Sequence, residues 1–164
     1  MPAFLPGGMA GSIMRKKRQH KKKPLTRSQV MSAIHSKDTT PEMLVRKGLF
    51  KAGFRYRLHR RDLPGCPDLI LLRYKIAIFV NGCFWHQHGC KFTSQPKSNQ
   101  SFWNEKFTNN IVRDIKVSQQ LLQAGYRIAT IWECSIEGKN RLTTSQVLER
   151  LIAFAKSDED TIEI

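Results

Sequence analysis

The apolar positions between residues 54 and 132 fall into short runs that are typical of strands. Residues 75–80 are apolar apart from Lys75, and this run predicts a buried strand. Residues 68–72 precede it with only Arg73 and Tyr74 between, so the two runs predict a hairpin. Residues 54–58 and 126–132 predict two further strands.

A helix is predicted where the pattern changes near residue 40. Thr40 suits the cap position, Pro41 suits the first turn, and Glu42 suits the positive end of the helix. The helical spacing of apolar residues continues through Leu49, and the helix should stop near Gly53.

Two later segments also have helical spacing. Apolar residues from Phe102 to Leu122 predict a long helix that ends before Gly125. A last amphipathic helix is predicted after a cap at Thr143 or Thr144, and the acidic residues 158–163 are expected to be frayed. Helix, strands, long helix, strand and helix together predict an α/β fold, with a mixed sheet flanked by helices.

The net charge of the chain indicates what kind of partner it binds. A net charge of +15 on 164 residues indicates a polyanionic partner. Eight of the 28 Lys and Arg lie between Arg15 and Arg27, and the other 20 against all 13 acids still leave +7. The basic residues therefore belong to the body as well as to the start of the chain. This distribution favours a nucleic-acid partner over the alternative that the charge only keeps the surface solvated.

The chain is expected to divide into a flexible basic arm (residues 1–26), a folded domain (residues 27–156, with a short helix at 28–34) and an acidic tail (residues 157–164). The basic cluster follows the apolar start, which is the reverse of a secretory signal. No apolar run has the length of a membrane span. A cytoplasmic location is therefore expected, where four cysteines favour metal binding over disulfides.

A cluster of soft ligands follows the strand at residues 75–80. Cys83, His88 and Cys90 supply two thiols and an imidazole within eight residues, and tetrahedral zinc wants four such ligands. Cys134, just past a predicted strand end, is the favoured fourth ligand, and Cys66 is its competitor. The alternative, that these are ordinary buried thiols, suits one cysteine better than a Cys-x4-His-x-Cys cluster.

Asp68 stands at the start of an apolar strand, where a carboxylate lies at the edge of a sheet. Magnesium sites for phosphoryl transfer use one or two carboxylates with substrate oxygens and waters. A single Pro-Asp pair more often caps a loop than binds a metal. Glu42 at a helix start, His86 beside the cysteine loop and the basic body favour the catalytic interpretation.

Several short motifs together resemble one family, the very-short-patch-repair (Vsr) DNA mismatch endonucleases. The resemblance runs from about residue 27 to residue 138. The motifs that carry it are Asp38-Thr39-Thr40-Pro41-Glu42, Leu63-Pro64-Gly65-x-Pro67-Asp68, Gly82-Cys83-Phe84-Trp85-His86, Phe102-Trp103, Arg113-Asp114 and Trp132-Glu133-Cys134. The resemblance implies a restriction-endonuclease-like fold with a structural zinc. It also implies an enzyme that nicks DNA 5′ of the thymine in a T:G mismatch, the first step in repair of deaminated 5-methylcytosine.

The resemblance also implies roles for single residues. Asp68 would bind the catalytic magnesium with the backbone carbonyl of Val80, Glu42 would hold waters of the magnesium site, and His86 would act as general acid/base. Cys83, His88, Cys90 and Cys134 would bind zinc.

DNA contacts are implied for four further side chains. Phe84, Trp85 and Trp103 would wedge into the base stack, and Met31 would enter the opposite groove. The expected partner is double-stranded DNA with a T:G mismatch. The enzyme is expected to act as a monomer, with functional links to a DNA cytosine methyltransferase and to mismatch-repair proteins.

Two positions depart from the family pattern. Asn81 stands where some relatives have a histidine; it can hydrogen-bond a water but cannot take its proton near neutral pH. Cys66 replaces what is often a basic residue. Two rival functions remain open: a restriction-type nuclease that cuts matched duplex, and a zinc-containing DNA-binding module without catalysis.

Overall fold

A computed structural model describes residues 37–139 and 141–164 of the chain. The basic arm, the predicted helix at residues 28–34 and Met31 lie outside these residues. The helices are α1 (Thr40–Lys51), α2 (Gln100–Gln123), α3 (Glu133–Ile136) and α4 (Thr144–Lys156). The strands are β1 (Arg57–Leu58), β2 (Leu69–Leu71), β3 (Ile76–Asn81), β4 (Arg127–Trp132) and β5 (Thr161–Glu163).

The five strands form one mixed sheet in the order β1-β2-β3-β4-β5. β1 and β2 pair antiparallel, as do β2 and β3, which confirms the predicted hairpin. A short 3-10 turn over Leu72–Tyr74 joins β2 to β3. β3 and β4 pair in parallel, and so do β4 and β5. The carboxyl ends of β3 and β4 therefore meet at Asn81 and Trp132.

Helices cover both faces of the sheet, as the sequence predicts. On one face, α1 and α4 pack through residues such as Leu49 and Leu151 against Leu69 and Leu71 of β2. On the other face, Leu121 of α2 packs with the strand residues Ile70, Ala77 and Ile128. Neighbouring residues of β2 thus point to opposite layers, as the period-two geometry of a strand requires.

Glycines permit two close approaches. A Cβ on Gly48 of α1 would lie 2.7 Å from Cδ1 of Leu148 in α4, so a larger residue there would force the Leu148 side chain to move. Gly65 has φ +70°, and its Cβ would lie 2.4 Å from Cγ1 of Val117 in α2. The loop in front of Asp68 can therefore lie close to α2.

Three local predictions need correction. The N-cap of α1 is Thr39, not Thr40: its side chain accepts a hydrogen bond from the backbone N–H of Glu42 at 3.3 Å. Residues 54–58 form a strand only over Arg57–Leu58. The predicted cap of the last helix needs no correction: of the two candidates it is Thr143, which forms a capping box with Gln146.

The third correction concerns the acidic tail. Residues 158–163 are not frayed, because β5 extends the sheet beside β4. The N–H of Ile164 donates to the carbonyl of Thr130 at 2.9 Å, and the N–H of Trp132 donates to the carbonyl of Ile164 at 2.8 Å. Ile164 is 7% exposed in the core. Backbone pairing and burial of an isoleucine outweigh the acidic composition that suggested fraying.

Candidate active site and cysteine cluster

The carboxylate of Asp68 lies beside the carboxyl end of β3. The antiparallel register that pairs Leu69 with Ile78 brings Asp68 next to Val80. Oδ2 of Asp68 accepts a hydrogen bond from the N–H of Val80 at 2.8 Å. The strand pairing thus fixes one carboxylate oxygen and the backbone of Val80 in one place. Asn81 follows as the last residue of β3 and is half-buried.

Glu42 is the buried carboxylate of the first turn of α1, with 2% exposure. Its Oε2 accepts a hydrogen bond from the N–H of Asp38 at 2.7 Å. Its Oε1 lies 3.3 Å from Nη1 of Arg46 and 3.3 Å from Nε2 of His59. Buried charges in proteins are normally paired, and Glu42 follows that rule.

The two carboxylates influence each other through space. Burial raises the pKa of Asp68 to about 6, and the negative charge of Glu42 adds to the rise. The hydrogen bond from Val80 and the charges of His59 and His86 act against it. Asp68 is therefore an anion that its surroundings under-compensate, and a cation bound at its free side would relieve the penalty. Mg²⁺ typically binds proteins through one or two carboxylates and waters, so these residues fit such an ion.

His86 is oriented by an aspartate from the long helix. Its Nδ1 makes a short contact with Oδ2 of Asp114 in α2, and Oδ1 of Asp114 lies 3.3 Å from Nη2 of Arg113. Burial works against ionisation of Asp114, but His86 and Arg113 outweigh it and lower the pKa of this carboxyl. A carboxylate on one ring nitrogen fixes the orientation of a histidine and leaves Nε2 for proton transfer.

The structure brings Cys83, His88, Cys90 and Cys134 into one cluster, with a ligand atom of each within 4.8 Å of the others. Nδ1 of His88 lies 3.7 Å from Sγ of Cys83 and 3.4 Å from Sγ of Cys134. These separations and a donor set of three thiols and one imidazole suit a tetrahedral zinc ion. Cys66 is not part of the cluster, so of the two predicted fourth ligands only Cys134 has the required position.

Packing around the cluster orients its members. Oε2 of Glu133 accepts the N–H of Cys83 at 3.1 Å. The ring of His88 stacks on Trp132, with centroids 4.1 Å apart. Burial raises the pKa of the Cys83 thiol to about 12, so a bound cation is what would favour its thiolate.

The aromatic residues between the cluster and His86 differ in exposure. Phe84 and Trp85 are half-buried, and their ring centroids are 5.1 Å apart. Trp103 is 8% exposed and packs against Phe84 and Phe107, whereas its neighbour Phe102 is 55% exposed. Of the three predicted wedge residues, Trp103 is thus buried by packing, while Phe84 and Trp85 remain partly exposed.

Reasoning from the sequence missed His59 and did not assign roles to Asp114 or Glu133. His59 follows the short strand β1, and its N–H donates to the carbonyl of Asp68 at 3.2 Å. Only the pairing of β1 with β2 reveals that proximity. Asp114 lies 28 residues from its partner His86, so the sequence held no local signal for the pair.

Comparison with known proteins shows the family of the chain. Residues 19–92 match the model of the family described as DNA mismatch endonuclease Vsr. The chain is 37% identical over 126 residues to the DNA mismatch endonuclease Vsr of Escherichia coli, covering 77% of this chain and 81% of the relative. The chain belongs to the Vsr family.

Two further relatives of the chain are described as nicking enzymes. The type II nicking enzyme V.NmeAIP of Neisseria meningitidis is 47% identical over 130 residues, covering 79% of this chain and 91% of the relative. The type II nicking enzyme V.XorIIP of Xanthomonas oryzae pv. oryzae is 42% identical over 113 residues, covering 69% and 83%. The protein is therefore a DNA endonuclease of the mismatch-repair class. In the part of the chain that the structure describes, no helix is long and apolar enough to cross a membrane.

Proposed function

We propose that this enzyme uses magnesium to nick one strand of duplex DNA on the 5′ side of the thymine in a T:G mismatch. The observation that carries the proposal is the grouping of Asp68, the backbone of Val80 and Glu42 beside the ordered pair of His86 and Asp114. A metal-binding carboxylate next to an oriented histidine suits hydrolysis of a phosphodiester. In this role the nick begins the repair of deaminated 5-methylcytosine.

Asp68 and the carbonyl of Val80 are the proposed magnesium ligands, with Glu42 holding waters around the ion. When bound, the ion would stabilise the negative charge that develops on the phosphate. The under-compensated charge of Asp68 supports this assignment, because its environment favours a nearby cation.

His86 is the proposed general acid/base. With Nδ1 held by Asp114, its Nε2 would take a proton from the attacking water or return one to the leaving oxygen. Asn81, the last residue of β3, would hydrogen-bond a water without taking its proton. The proton transfer would therefore rest on His86.

The cysteine cluster is proposed to hold a structural zinc ion in a restriction-endonuclease-like domain. Four protein ligands fill a tetrahedral coordination shell and leave no position for substrate. The ion would then fix residues 83–90, on which His86 lies, against Cys134 at the end of β4.

Recognition of the mismatch is proposed to depend on aromatic insertion. A T:G wobble barely alters the backbone charge, but a mispaired step is easier to unstack. Phe84 and Trp85 would enter the base stack from the loop beside the catalytic residues, with Trp103 behind them. Met31 would contact the opposite groove, and the basic arm would bind phosphates.

The proposed enzyme acts as a monomer, in functional connection with a DNA cytosine methyltransferase and other mismatch-repair proteins.

The test is a nicking assay on two duplexes that differ only in one T:G or C:G pair. Each is incubated with wild-type protein and with Asp68→Ala, in magnesium or in chelator. The proposal expects a single nick 5′ of the mismatched thymine, only with magnesium, and none from Asp68→Ala although that variant still binds the duplex. Equal cutting of the matched duplex would indicate a restriction-type nuclease. Binding without any cutting would indicate a DNA-binding module.

A further inference from the structure

His59 occupies an unusual backbone position directly after β1. Its φ of +46° lies in the left-handed region that residues other than glycine seldom adopt. The N–H of His59 donates to the carbonyl of Asp68 at 3.2 Å. Backbone strain of this kind is often found at functional sites, and here it points the histidine toward the carboxylates.

The imidazole of His59 lies between two acidic side chains. Its Nε2 is 3.3 Å from Oε1 of Glu42, and its Nδ1 is 3.9 Å from Oδ1 of Asp68. The side chain is 17% exposed. Nε2 is fully buried, and its contact with Glu42 is not aligned as a hydrogen bond. The ring thus has one nitrogen toward each carboxylate.

The two other basic side chains nearby do not bridge Glu42 and Asp68. Arg46 is shared between Glu42 and Asp38, and His86 is held by Asp114. Two carboxylates in a partly buried site repel each other, and the repulsion tends to rotate or separate them. A flat ring with a nitrogen on each side can hold both at a set separation, whereas an aliphatic side chain cannot.

We propose that His59 is a positioning residue of the nicking site, which holds Glu42 and Asp68 in the mutual orientation that the catalytic divalent cation requires. This inference rests on the proposed function, since it takes Asp68 as a metal ligand. His59 acts through the two carboxylates and needs no contact with the DNA.

Three substitutions separate the two contacts of the ring. His59→Leu removes both nitrogens and keeps a similar volume. His59→Gln can place an amide nitrogen near the position of Nε2, toward Glu42, and His59→Asn can place one near Nδ1, toward Asp68. Tyr56→Phe is the matched control: it removes a half-buried hydrogen bond from Tyr56 to the carbonyl of Arg46, in the same segment, without touching either carboxylate.

Two measurements are made on each variant: the magnesium concentration that gives half-maximal nicking of a T:G duplex, and the calorimetric affinity of the DNA-free protein for Mn²⁺. His59→Leu should weaken both by about 10- to 100-fold, as for other residues that orient metal ligands. His59→Gln or His59→Asn should recover most of the loss, and Tyr56→Phe should match wild type. DNA affinity should be equal in all of them.

The inference is overturned if His59→Leu matches Tyr56→Phe in both measurements while wild-type nicking still depends on magnesium. Should His59→Leu not fold, the amide pair decides: each amide keeps only one of the two contacts, so at least one of the variants must bind Mn²⁺ more weakly than Tyr56→Phe does, and two affinities equal to that of Tyr56→Phe overturn the inference. Wild-type protein that does not nick with magnesium would instead defeat the proposed function itself.

Discussion

The cysteine cluster and the carboxylate site share one short segment of chain but differ in how complete they are. In the cluster, the protein supplies four soft donor atoms within 4.8 Å of one another. In the carboxylate site, it supplies two acids, Glu42 and Asp68, whose negative charges repel each other, with His59 between them. The first set has enough donor atoms to fill a tetrahedral coordination shell by itself, whereas the proposed magnesium ligands are too few to fill a shell without water or substrate oxygens.

Because of that difference, we expect the cysteine cluster to contribute to stability and the carboxylate site to reactivity. Burial raises the pKa of both Cys83 and Asp68, so each region favours a cation. A closed set of ligands converts metal affinity into folding energy. An open set of ligands would leave part of the ion available to the substrate. Without the ion, the ionised carboxylate of Asp68 destabilises the protein.

The largest effect is expected from opening the closed set. Cys134→Ser removes one of four ligands, and structural zinc sites in small domains bind with apparent free energies of about 10–16 kcal/mol. We therefore expect the variant to be largely unfolded, with less than one zinc per chain by elemental analysis. Cys66→Ser is the matched control, because Cys66 lies outside the cluster, and it should retain wild-type folding and zinc. A wild-type protein that is stably folded without zinc would disprove the assignment.

In the carboxylate region, loss of the proposed proton carrier should slow nicking without unfolding the protein. His86→Ala should reduce the single-turnover rate by about 10²- to 10⁴-fold. Asp114→Asn should give a smaller loss, because the ring remains but is less well oriented. Both should bind the T:G duplex as wild type does, and Arg113→Gln, which removes only the outer partner of Asp114, should be nearly normal. Wild-type rates in His86→Ala would exclude this role.

The two regions also differed in how far the sequence revealed them. The cysteine cluster could be predicted because three of its members lie within eight residues, and a strand end indicated Cys134. Glu42 and Asp68, the proposed carboxylates of the magnesium site, were predicted from local helix and strand starts. The role of His59 could not be predicted, since its position depends on the register of a two-residue strand.

The fold was predicted to a similar extent. Apolar runs and helical spacing gave β2, β3, β4, α1, α2 and α4, because each buries a face that its own pattern specifies. β5 was missed, although residues 161–164 alternate polar and apolar, because four acids between residues 158 and 163 dominate the composition. Its stability comes from the edge of β4, which no local pattern encodes.

The carboxylate region should be more stable without its charge. The pKa of Asp68 is raised from 3.8 to about 6, which corresponds to about 3 kcal/mol of destabilisation when the carboxylate is ionised. The penalty is absent below about pH 4, where the acid is protonated in both states, and complete above about pH 6.

Asp68→Asn removes this charge and keeps an oxygen for the N–H of Val80. In metal-free buffer, its free energy of unfolding should exceed that of wild type by up to about 3 kcal/mol at pH 7.5, and by little at pH 4. Urea unfolding at the two pH values measures the difference. Equal stability at pH 7.5 would show that the site tolerates its charge.

The smallest effect is expected where the two regions join, in the aromatic pair between Cys83 and His86. Trp85→Ala should leave the protein folded, because the side chain is only half-buried, and should preserve binding to matched DNA. The preference for T:G over matched duplex should fall by about 1–3 kcal/mol, the usual value of one base–aromatic stack. Competition binding with the two duplexes measures this preference. Phe50→Ala, a 58% exposed aromatic on α1, serves as control and should keep it. Trp103→Ala should instead destabilise the fold, because Trp103 packs on Phe107 at 8% exposure. If Trp85→Ala keeps the full mismatch preference, then the loop between the two regions only connects them, and recognition belongs to another surface.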